Sequence, residues 1–336
     1  MKNKKAPPHL FVFFILIVFI SWLYSFHTNS LQDMPDSRTV QTAAHIGQKS
    51  SPPVSPETNF KLVSLRKLNP GAEAILPQGN VSKVKLNTVT TTPKILKLLD
   101  NNQSGIILTF DDNTVDEWSS FLAFNKEYKA KATFYVCNFN NFTSNQIMKL
   151  RNLQNAGNEI AYHTLNHLNA LQLIKEKSLN YYIQTEIFPG VAMMEEEGFH
   201  VKNFAYPYGA GNRELDNELL KYFDTVRYTF DSGKNEKISN IRSIYIQNNK
   251  TSVREQRVLH AVGIDNAYEY DLTEIFQGID HAYNSNQLII LYAHGISDKP
   301  DNYGTNPEKL RAIIQYAYDR GMKFYTVSDL EKLVEN

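Results

Sequence analysis

The chain has 336 residues, of which 42% are hydrophobic and 21% are charged, a composition typical of a globular protein with a buried core. Lysine plus arginine and aspartate plus glutamate number 35 each, so no excess of positive charge favours binding to nucleic acid. Cys137 is the single cysteine, which excludes an internal disulfide and a cysteine-ligated metal site. Its place in an apolar run predicts a buried, unreactive thiol.

The N-terminus predicts export. Lys2, Lys4 and Lys5 precede an apolar run at 10–26, which is near the lower length limit for spanning a bilayer and offers no clear cleavage site. We expect residues 1–9 to form a cytoplasmic stub and residues 10–26 to form an uncleaved signal anchor in preference to a cleaved signal peptide. The following chain then lies outside the cytoplasmic membrane. Cleavage would make the protein secreted or periplasmic.

Two segments separate the apolar run from the main domain. Residues 27–58 are rich in Ser, Thr, Gln and Pro, which predicts a flexible tether. Residues 59–103 carry a strand-like piece at 83–89 and a predicted helix at 93–99. We expect this part to be an N-terminal extension that packs on a domain at 104–336.

From Gly105 onward, short apolar runs alternate with amphipathic stretches, a pattern that predicts strands connected by helices. The predicted strands are 106–110, 132–136, 159–163, 204–208, 225–229, 258–264, 288–294 and 324–327. The predicted helices are 116–128, 145–156, 213–223, 272–283 and 307–320. Seven or eight such units favour an α/β fold of the (β/α) barrel type, whose active site lies at the carboxyl ends of the strands.

Adjacent carboxylates end the first predicted strand. Asp111 and Asp112 follow the apolar residues 106–110, and neighbouring residues of a strand point to opposite sides. One carboxylate can therefore bind a metal while the other acts on water. The alternative is a polar cap on the following helix, since acids favour helix N-termini.

His163 and His167 are four residues apart just after another predicted strand. On a helical turn this spacing would place both imidazoles on one face, where they could ligate one Zn²⁺. Together with Asp112 they supply the donor set of a catalytic zinc site. The alternative is a pair of surface or packed histidines.

Two further strand ends carry polar groups. Tyr208 lies in the turn Y-P-Y-G, where Gly209 permits unusual backbone angles and a backbone N–H can face a developing oxyanion. A purely structural aromatic turn has the same sequence. His294 ends an apolar strand beside a glycine, which suits a general acid, although a satisfied core histidine is the alternative.

Taken in order, these four motifs resemble those of the polysaccharide deacetylase family, also called carbohydrate esterase family 4. T-F-D-D, H-T-L-N-H, Y-P-Y-G and A-H-G follow one another at family-like intervals within residues 105–330. The resemblance implies a distorted (β/α) barrel of the polysaccharide-deacetylase type, with residues 104–336 as the catalytic domain.

The resemblance also implies roles for individual residues. Asp111 matches the catalytic base and His294 the general acid. The backbone N–H of Tyr208 matches an oxyanion contact, and Asp265 is placed to orient His294. The implied metal ligands are Asp112, His163 and His167.

One position departs from the family pattern. Many members carry an arginine two residues before the motif proline, where it pairs with the base, and this chain has Ala205 there. We expect Arg227, in the next predicted strand, to supply the missing guanidinium from another direction.

The implied activity is removal of acetyl groups from N-acetylated sugars of a cell-envelope or extracellular polysaccharide or oligosaccharide. The implied cofactor is a divalent metal, Zn²⁺ by default with Co²⁺ or Ni²⁺ as alternatives. We expect a monomer that contacts the membrane through its N-terminal anchor. Three alternatives remain open: a related hydrolase of O-acetyl, formyl or cyclic amide bonds, a non-catalytic glycan-binding protein of the same fold, and a structural envelope protein.

Overall fold

A computed structural model of the chain describes residues 104–230, 236–246 and 257–332. The predicted stub at 1–9, anchor at 10–26, tether at 27–58 and extension at 59–103 lie outside these residues. None of the helices in the described ranges combines the length and apolar character needed to cross a bilayer.

Eleven strands occur in the described ranges. In chain order they are β1 (Gly105–Asp112), β2 (Ala132–Val136), β3 (Glu159–Tyr162), β4 (Asn203–Ala205), β5 (Thr225–Phe230), β6 (Tyr245–Ile246), β7 (Val258–Gly263), β8 (Leu288–Ala293), β9 (Gly295–Ile296), β10 (Gly304–Thr305) and β11 (Lys323–Phe324).

Seven parallel strands close into a barrel in the order β1, β2, β3, β4, β5, β7, β8. Closure comes from β1, which pairs with β2 on one side and with β8 on the other. The barrel is distorted, because β11 also pairs with the start of β1 and the antiparallel β6 pairs with the start of β8. The predicted (β/α) barrel is confirmed, with seven strands in the closed ring.

Helices follow most of the barrel strands. In chain order they are α1 (Val115–Trp118), α2 (Leu122–Tyr128), α3 (Ser144–Asn155), α4 (Ala170–Glu176), α5 (Leu179–Tyr182), α6 (Phe188–Glu196), α7 (Arg213–Leu219), α8 (Leu272–Asn284), α9 (Pro307–Asp319) and α10 (Asp329–Lys332). A π-helical turn, Ile183–Ile187, joins α5 to α6.

Two hydrophobic clusters reflect the alternation of side chains along each strand. Ile106, Leu108 and Phe110 belong to the larger cluster, which also contains the buried faces of the helices. Ile107, together with residues such as Tyr135, belongs to a second cluster inside the barrel. Buried side chains thus fill the barrel interior.

Polar side chains seal the amino-terminal end of the barrel. Glu159 at the start of β3 accepts hydrogen bonds from Thr133, Asn203 and the backbone N–H of Ser328. The Ser328 hydroxyl also donates to Glu159, at 2.7 Å. The segment before α10 therefore covers the amino-terminal end of the barrel.

Several predicted boundaries were wrong. The strand predicted at 204–208 ends at Ala205, because Pro207 begins a tight 3₁₀ turn. The strand predicted at 324–327 ends at Phe324, because the Val327 N–H bonds to the Thr133 side chain and leaves the ladder. The helix predicted at 116–128 is interrupted by a 3₁₀ turn at Ser119–Phe121, and the helix predicted at 213–223 ends at Leu219.

Candidate active site

The carboxyl ends of the barrel strands bring the chemically active side chains to one face. Phe110 is in register with Ala293, so Asp111 and His294 follow neighbouring positions of β1 and β8. On the other edge of β1, Asp112 is in register with Val136, whose carbonyl accepts the N–H of His163. Residues far apart in the sequence thereby meet at one rim.

Three ligand atoms converge at this rim. The Oδ1 atom of Asp112 lies 3.1 Å from His167 Nε2 and 3.5 Å from His163 Nε2. The three ligand atoms all lie within 4.8 Å of one another, and no other such group of histidine, cysteine or acidic side chains occurs in the described ranges. This cluster is the one predicted from the sequence.

The donor set fits a divalent cation. Asp112 Oδ1 is buried and has no hydrogen-bond partner among the described residues, and an unpaired buried carboxylate oxygen carries a large desolvation cost. Burial opposes ionisation, but His163 and His167 outweigh it and hold the pKa of Asp112 well below its usual range. One carboxylate with two imidazoles and open positions is the ligand set of catalytic zinc sites.

His163 is held in the orientation that a metal ligand needs. Its Nδ1 lies 2.9 Å from the carbonyl oxygen of Ala205, and its side chain is 3% exposed. Because a carbonyl oxygen only accepts, Nδ1 carries a proton, and Nε2 is the ring atom placed to ligate a cation beside Asp112. The backbone of β4 thus fixes the tautomer, which no sequence motif indicates.

The helical turn predicted for His163 to His167 was wrong. The segment has no helical turn, and both Thr164 (φ 71°) and His167 (φ 55°) have left-handed backbone angles. The His167 N–H donates to the Thr164 hydroxyl at 2.9 Å, which stabilises the turn. The two imidazoles converge through this loop.

Asp111 is paired with Arg227 in the barrel interior. Arg227 Nη2 donates to Asp111 Oδ2, and both side chains are buried. The guanidinium carbon lies 5.0 Å from the Tyr135 ring centre and 5.2 Å from that of Tyr292. Asp111 Oδ1 has no hydrogen-bond partner among the described residues. Arg227 thus lies where it was expected to replace the guanidinium missing at Ala205. Its role in turnover stays a prediction.

His294 is paired with Asp265 beside the same rim. His294 Nδ1 donates to Asp265 Oδ2 at 2.6 Å, and the His294 N–H donates to Oδ1 at 3.3 Å. Burial alone would lower the pKa of His294, but the Asp265 hydrogen bond and the nearby Asp111 charge outweigh it and raise this pKa to about 9. His294 is therefore protonated at neutral pH, as a general acid requires.

The Y-P-Y-G turn lies on the metal side of the rim. Tyr208 has a left-handed backbone angle (φ 59°), its side chain is 66% exposed, and its ring centre is 4.7 Å from that of His167. Gly209 is also left-handed (φ 61°), and a β-carbon there would lie 2.2 Å from the Thr229 hydroxyl. This turn is fixed against β5.

Three residues near the site were not predicted from the sequence. Trp118 donates its indole N–H to the His294 carbonyl at 2.7 Å. Tyr303 is 59% exposed, with its ring centre 5.4 Å from that of His294. Glu186 is buried against the His163 to His167 loop. Each lies outside the recognised motifs, so no local sequence feature marked it.

A protein-family model matches part of the chain. Residues 98–225 match the family model described as "Polysaccharide deacetylase". This segment contains the first three motifs, and the match confirms the resemblance over this part of the chain. No curated protein matches the chain.

Comparison with solved structures gives distant matches. They include the peptidoglycan deacetylase PdaC from Bacillus subtilis, at 20% identity and TM-score 0.40, covering 70% of this chain and 93% of that one. The family 4 carbohydrate esterase from Streptomyces lividans has 18% identity and TM-score 0.41, and the match covers 66% of this chain and 91% of that one. The chitin deacetylase from Colletotrichum lindemuthianum has 18% identity and TM-score 0.42, and the match covers 70% of this chain and 90% of that one. These TM-scores lie below 0.5, so the fold is assigned from the strand pairing of this chain.

Proposed function

We propose that this chain, whose residues 98–225 belong to the polysaccharide deacetylase family, is a metal-dependent hydrolase that removes acetyl groups from N-acetylated sugars of a cell-envelope or extracellular polysaccharide. One observation carries the proposal. The Asp112, His163 and His167 cluster lies on the same barrel rim as the buried Asp111 and as His294, which pairs with Asp265. A cation site, a base and an acid in such proximity can together hydrolyse an amide bond.

Asp111 is the proposed base. Arg227 holds its Oδ2 atom, which leaves Oδ1 free to accept a proton from the attacking water. Because the side chain is 2% exposed, bulk water competes little for that oxygen. The pairing also fixes the direction in which Oδ1 faces.

A divalent cation held by Asp112, His163 and His167 would make water more acidic and stabilise negative charge on the carbonyl oxygen. The Tyr208 backbone N–H is the proposed second contact to that oxygen. Protonated His294 donates its proton to the departing amine, while Asp265 keeps the ring oriented. The products are acetate and a free amino sugar.

Exposed tyrosines on the rim support a sugar substrate. Tyr208 lies against His167, and Tyr303 lies against His294. Large aromatic side chains this exposed present flat apolar faces to solvent. Pyranose rings have C–H faces that stack on such surfaces, so the two tyrosines suit a chain of sugars that crosses the rim.

The test measures acetate released from N-acetylated and O-acetylated glycans, with and without a chelator. The proposal expects chelator-sensitive release from N-acetylated oligosaccharides, and loss of release in Asp111→Asn with cation binding retained. Faster release from O-acetylated glycans would favour an esterase. Release that survives the Asp111→Asn substitution would refute the catalytic assignment. Glycan binding by a wild-type protein that releases no acetate would favour a non-catalytic protein.

The proposed location is extracytoplasmic. It follows from the basic residues and apolar run at 1–26 and from the polymeric substrate of the proposed reaction. Fractionation of cells after protease treatment from outside tests it, since a cytoplasmic protein would be protected.

A further inference from the structure

Glu186 is a buried acidic residue next to the metal cluster that the proposed reaction does not use. Its side chain is 1% exposed, and it lies in the π-helical turn Ile183–Ile187 between α5 and α6. Such turns place one extra residue in a helix and often occur at functional sites. A buried carboxylate is costly unless its oxygens are satisfied.

Both oxygens of Glu186 contact one residue of the metal-binding loop. Oε2 accepts the backbone N–H of Asn166 at 2.9 Å, and Oε1 accepts the Asn166 side-chain amide at 2.8 Å. The backbone carbonyl of Glu186 also accepts the Leu165 N–H at 3.1 Å and the Tyr162 hydroxyl at 2.5 Å. One residue thus holds consecutive positions of the segment between His163 and His167.

The loop needs such support because its backbone is strained. Thr164 and His167 both have positive φ angles, which are unfavourable in residues other than glycine and persist only when the surroundings enforce them. Two further hydrogen bonds hold the loop. The His167 N–H donates to the Thr164 hydroxyl, and the Asn138 N–H donates to the Leu165 carbonyl. Glu186 holds the loop through its carboxylate, and hydrogen bonds to a carboxylate are stronger than those between neutral groups.

We propose that Glu186 is a positioning residue that sets the place of His167 relative to Asp112 and thereby the affinity of the cluster for a divalent cation. This inference rests on the metal-binding part of the proposed function and not on its substrate. Without Glu186, the Asn166 N–H and amide lose their acceptors and the loop relaxes. His167, which is held at the far end of the loop, then moves away from Asp112.

The test compares cation affinity in purified protein, with Co²⁺ as the probe and a chelator as competitor. Asn166→Ala removes the side-chain bond from an exposed position, and Glu186→Gln replaces an acceptor oxygen with a donor. Glu186→Ala removes both carboxylate oxygens and so both hydrogen bonds to Asn166. The matched control is Glu196→Gln, the same change on the exposed face of α6. We expect the Glu186 variants to bind Co²⁺ about 10- to 100-fold more weakly, as when other groups that orient metal ligands are removed.

Several outcomes decide the inference. The inference is supported if Asn166→Ala loses less Co²⁺ affinity than the Glu186 variants while Glu196→Gln keeps the wild-type affinity. Similar melting temperatures of the metal-free proteins would show that the loss comes from positioning and not from unfolding. Wild-type Co²⁺ affinity in folded Glu186→Gln and Asn166→Ala overturns it. If the wild type binds Co²⁺ in a Glu186-dependent way but releases no acetate, the inference stands and the proposed deacetylation fails.

Discussion

Arg227 and Asp111 form a buried pair although 116 residues separate them in the sequence. Arg227 projects from β5 into the barrel, between the rings of Tyr135 and Tyr292. Removing one partner of such a pair leaves the other as an uncompensated buried charge. The orientation of the proposed base and the stability of the barrel interior therefore depend on the same contact.

The variant Arg227→Ala should lose most of its turnover and keep its cation site. We expect kcat to fall by about 100-fold or more, the usual contribution of a positioned acid or base. The free energy of unfolding should fall by about 3–5 kcal/mol, because Asp111 is left buried and unpaired. Acetate release, Co²⁺ titration and chemical denaturation measure the three quantities.

Arg227→Lys is the matched control, since it retains the positive charge but not the planar guanidinium that stacks on the two tyrosines. Its turnover should lie between those of the wild type and the alanine variant. Unchanged turnover in folded Arg227→Ala would show that Arg227 does not orient the base.

Activity should decline on the alkaline side as His294 loses its proton. The raised pKa of about 9 means that the folded protein favours the protonated form, so the acid is present at neutral pH and is lost as pH rises through this value. The His294 and Asp265 pair likewise stabilises the fold most below the ordinary histidine pKa of 6.5, and this contribution fades as pH rises towards 9. In Asp265→Asn the alkaline limb of kcat against pH should move to lower pH.

An alkaline limb at the same pH in the wild type and in Asp265→Asn would contradict that assignment. Asp280→Asn is a suitable control, because Asp280 is a carboxylate that pairs with Arg320 on the outer helices and not with the rim.

The variant His167→Ala should remove cation binding without unfolding the barrel, because the His167 side chain is 23% exposed. Co²⁺ at 100 times its dissociation constant should stabilise the wild type by about 2.7 kcal/mol, and this gain should vanish in the variant. Thermal melting with and without Co²⁺ measures it. His200→Ala, on a side chain that is 78% exposed, is the control, and loss of the Co²⁺ effect there would indicate binding elsewhere.

The variant Tyr303→Ala should bind oligosaccharides less tightly. We expect KM to rise about 2- to 12-fold, equivalent to about 0.5–1.5 kcal/mol for one aromatic contact, and Tyr303→Phe should keep most of the affinity. KM values for sugars of increasing length test this, with Tyr283→Ala on the outer helix α8 as control. An equal rise in both alanine variants would mean that Tyr303 has no special part in substrate binding.

The barrel could be predicted from the sequence because its strands are short apolar runs bounded by polar residues. Strand β2 was predicted with its observed bounds, and β1, β5, β7 and β8 differ from the prediction by one or two residues. The cluster of Asp112, His163 and His167 could be predicted for a related reason. Asp112 ends β1 and His163 directly follows β3, and parallel strands bring those positions to one rim. His167 lies farther along the loop that follows β3.

Other features depend on contacts that no local pattern encodes. The left-handed angles of Thr164 and His167 are unusual for these residue types, so a helical turn was the natural expectation from their spacing. The helices α4, α5 and α6 were not predicted, since a π-helical turn breaks their periodicity. Trp118 and Tyr303 reach His294 only through the folded chain.

The buried thiol of Cys137 offers a direct measurement of how often the metal-binding rim opens. Its N–H donates to the Asp112 carbonyl at 2.9 Å, its side chain is 1% exposed, and burial raises its pKa. As the single cysteine of the chain, it should react with a thiol reagent only when the structure around the end of β2 opens locally. The labelling rate therefore reports the opening equilibrium beside the ligands, and bound cation should slow it without any substrate being present.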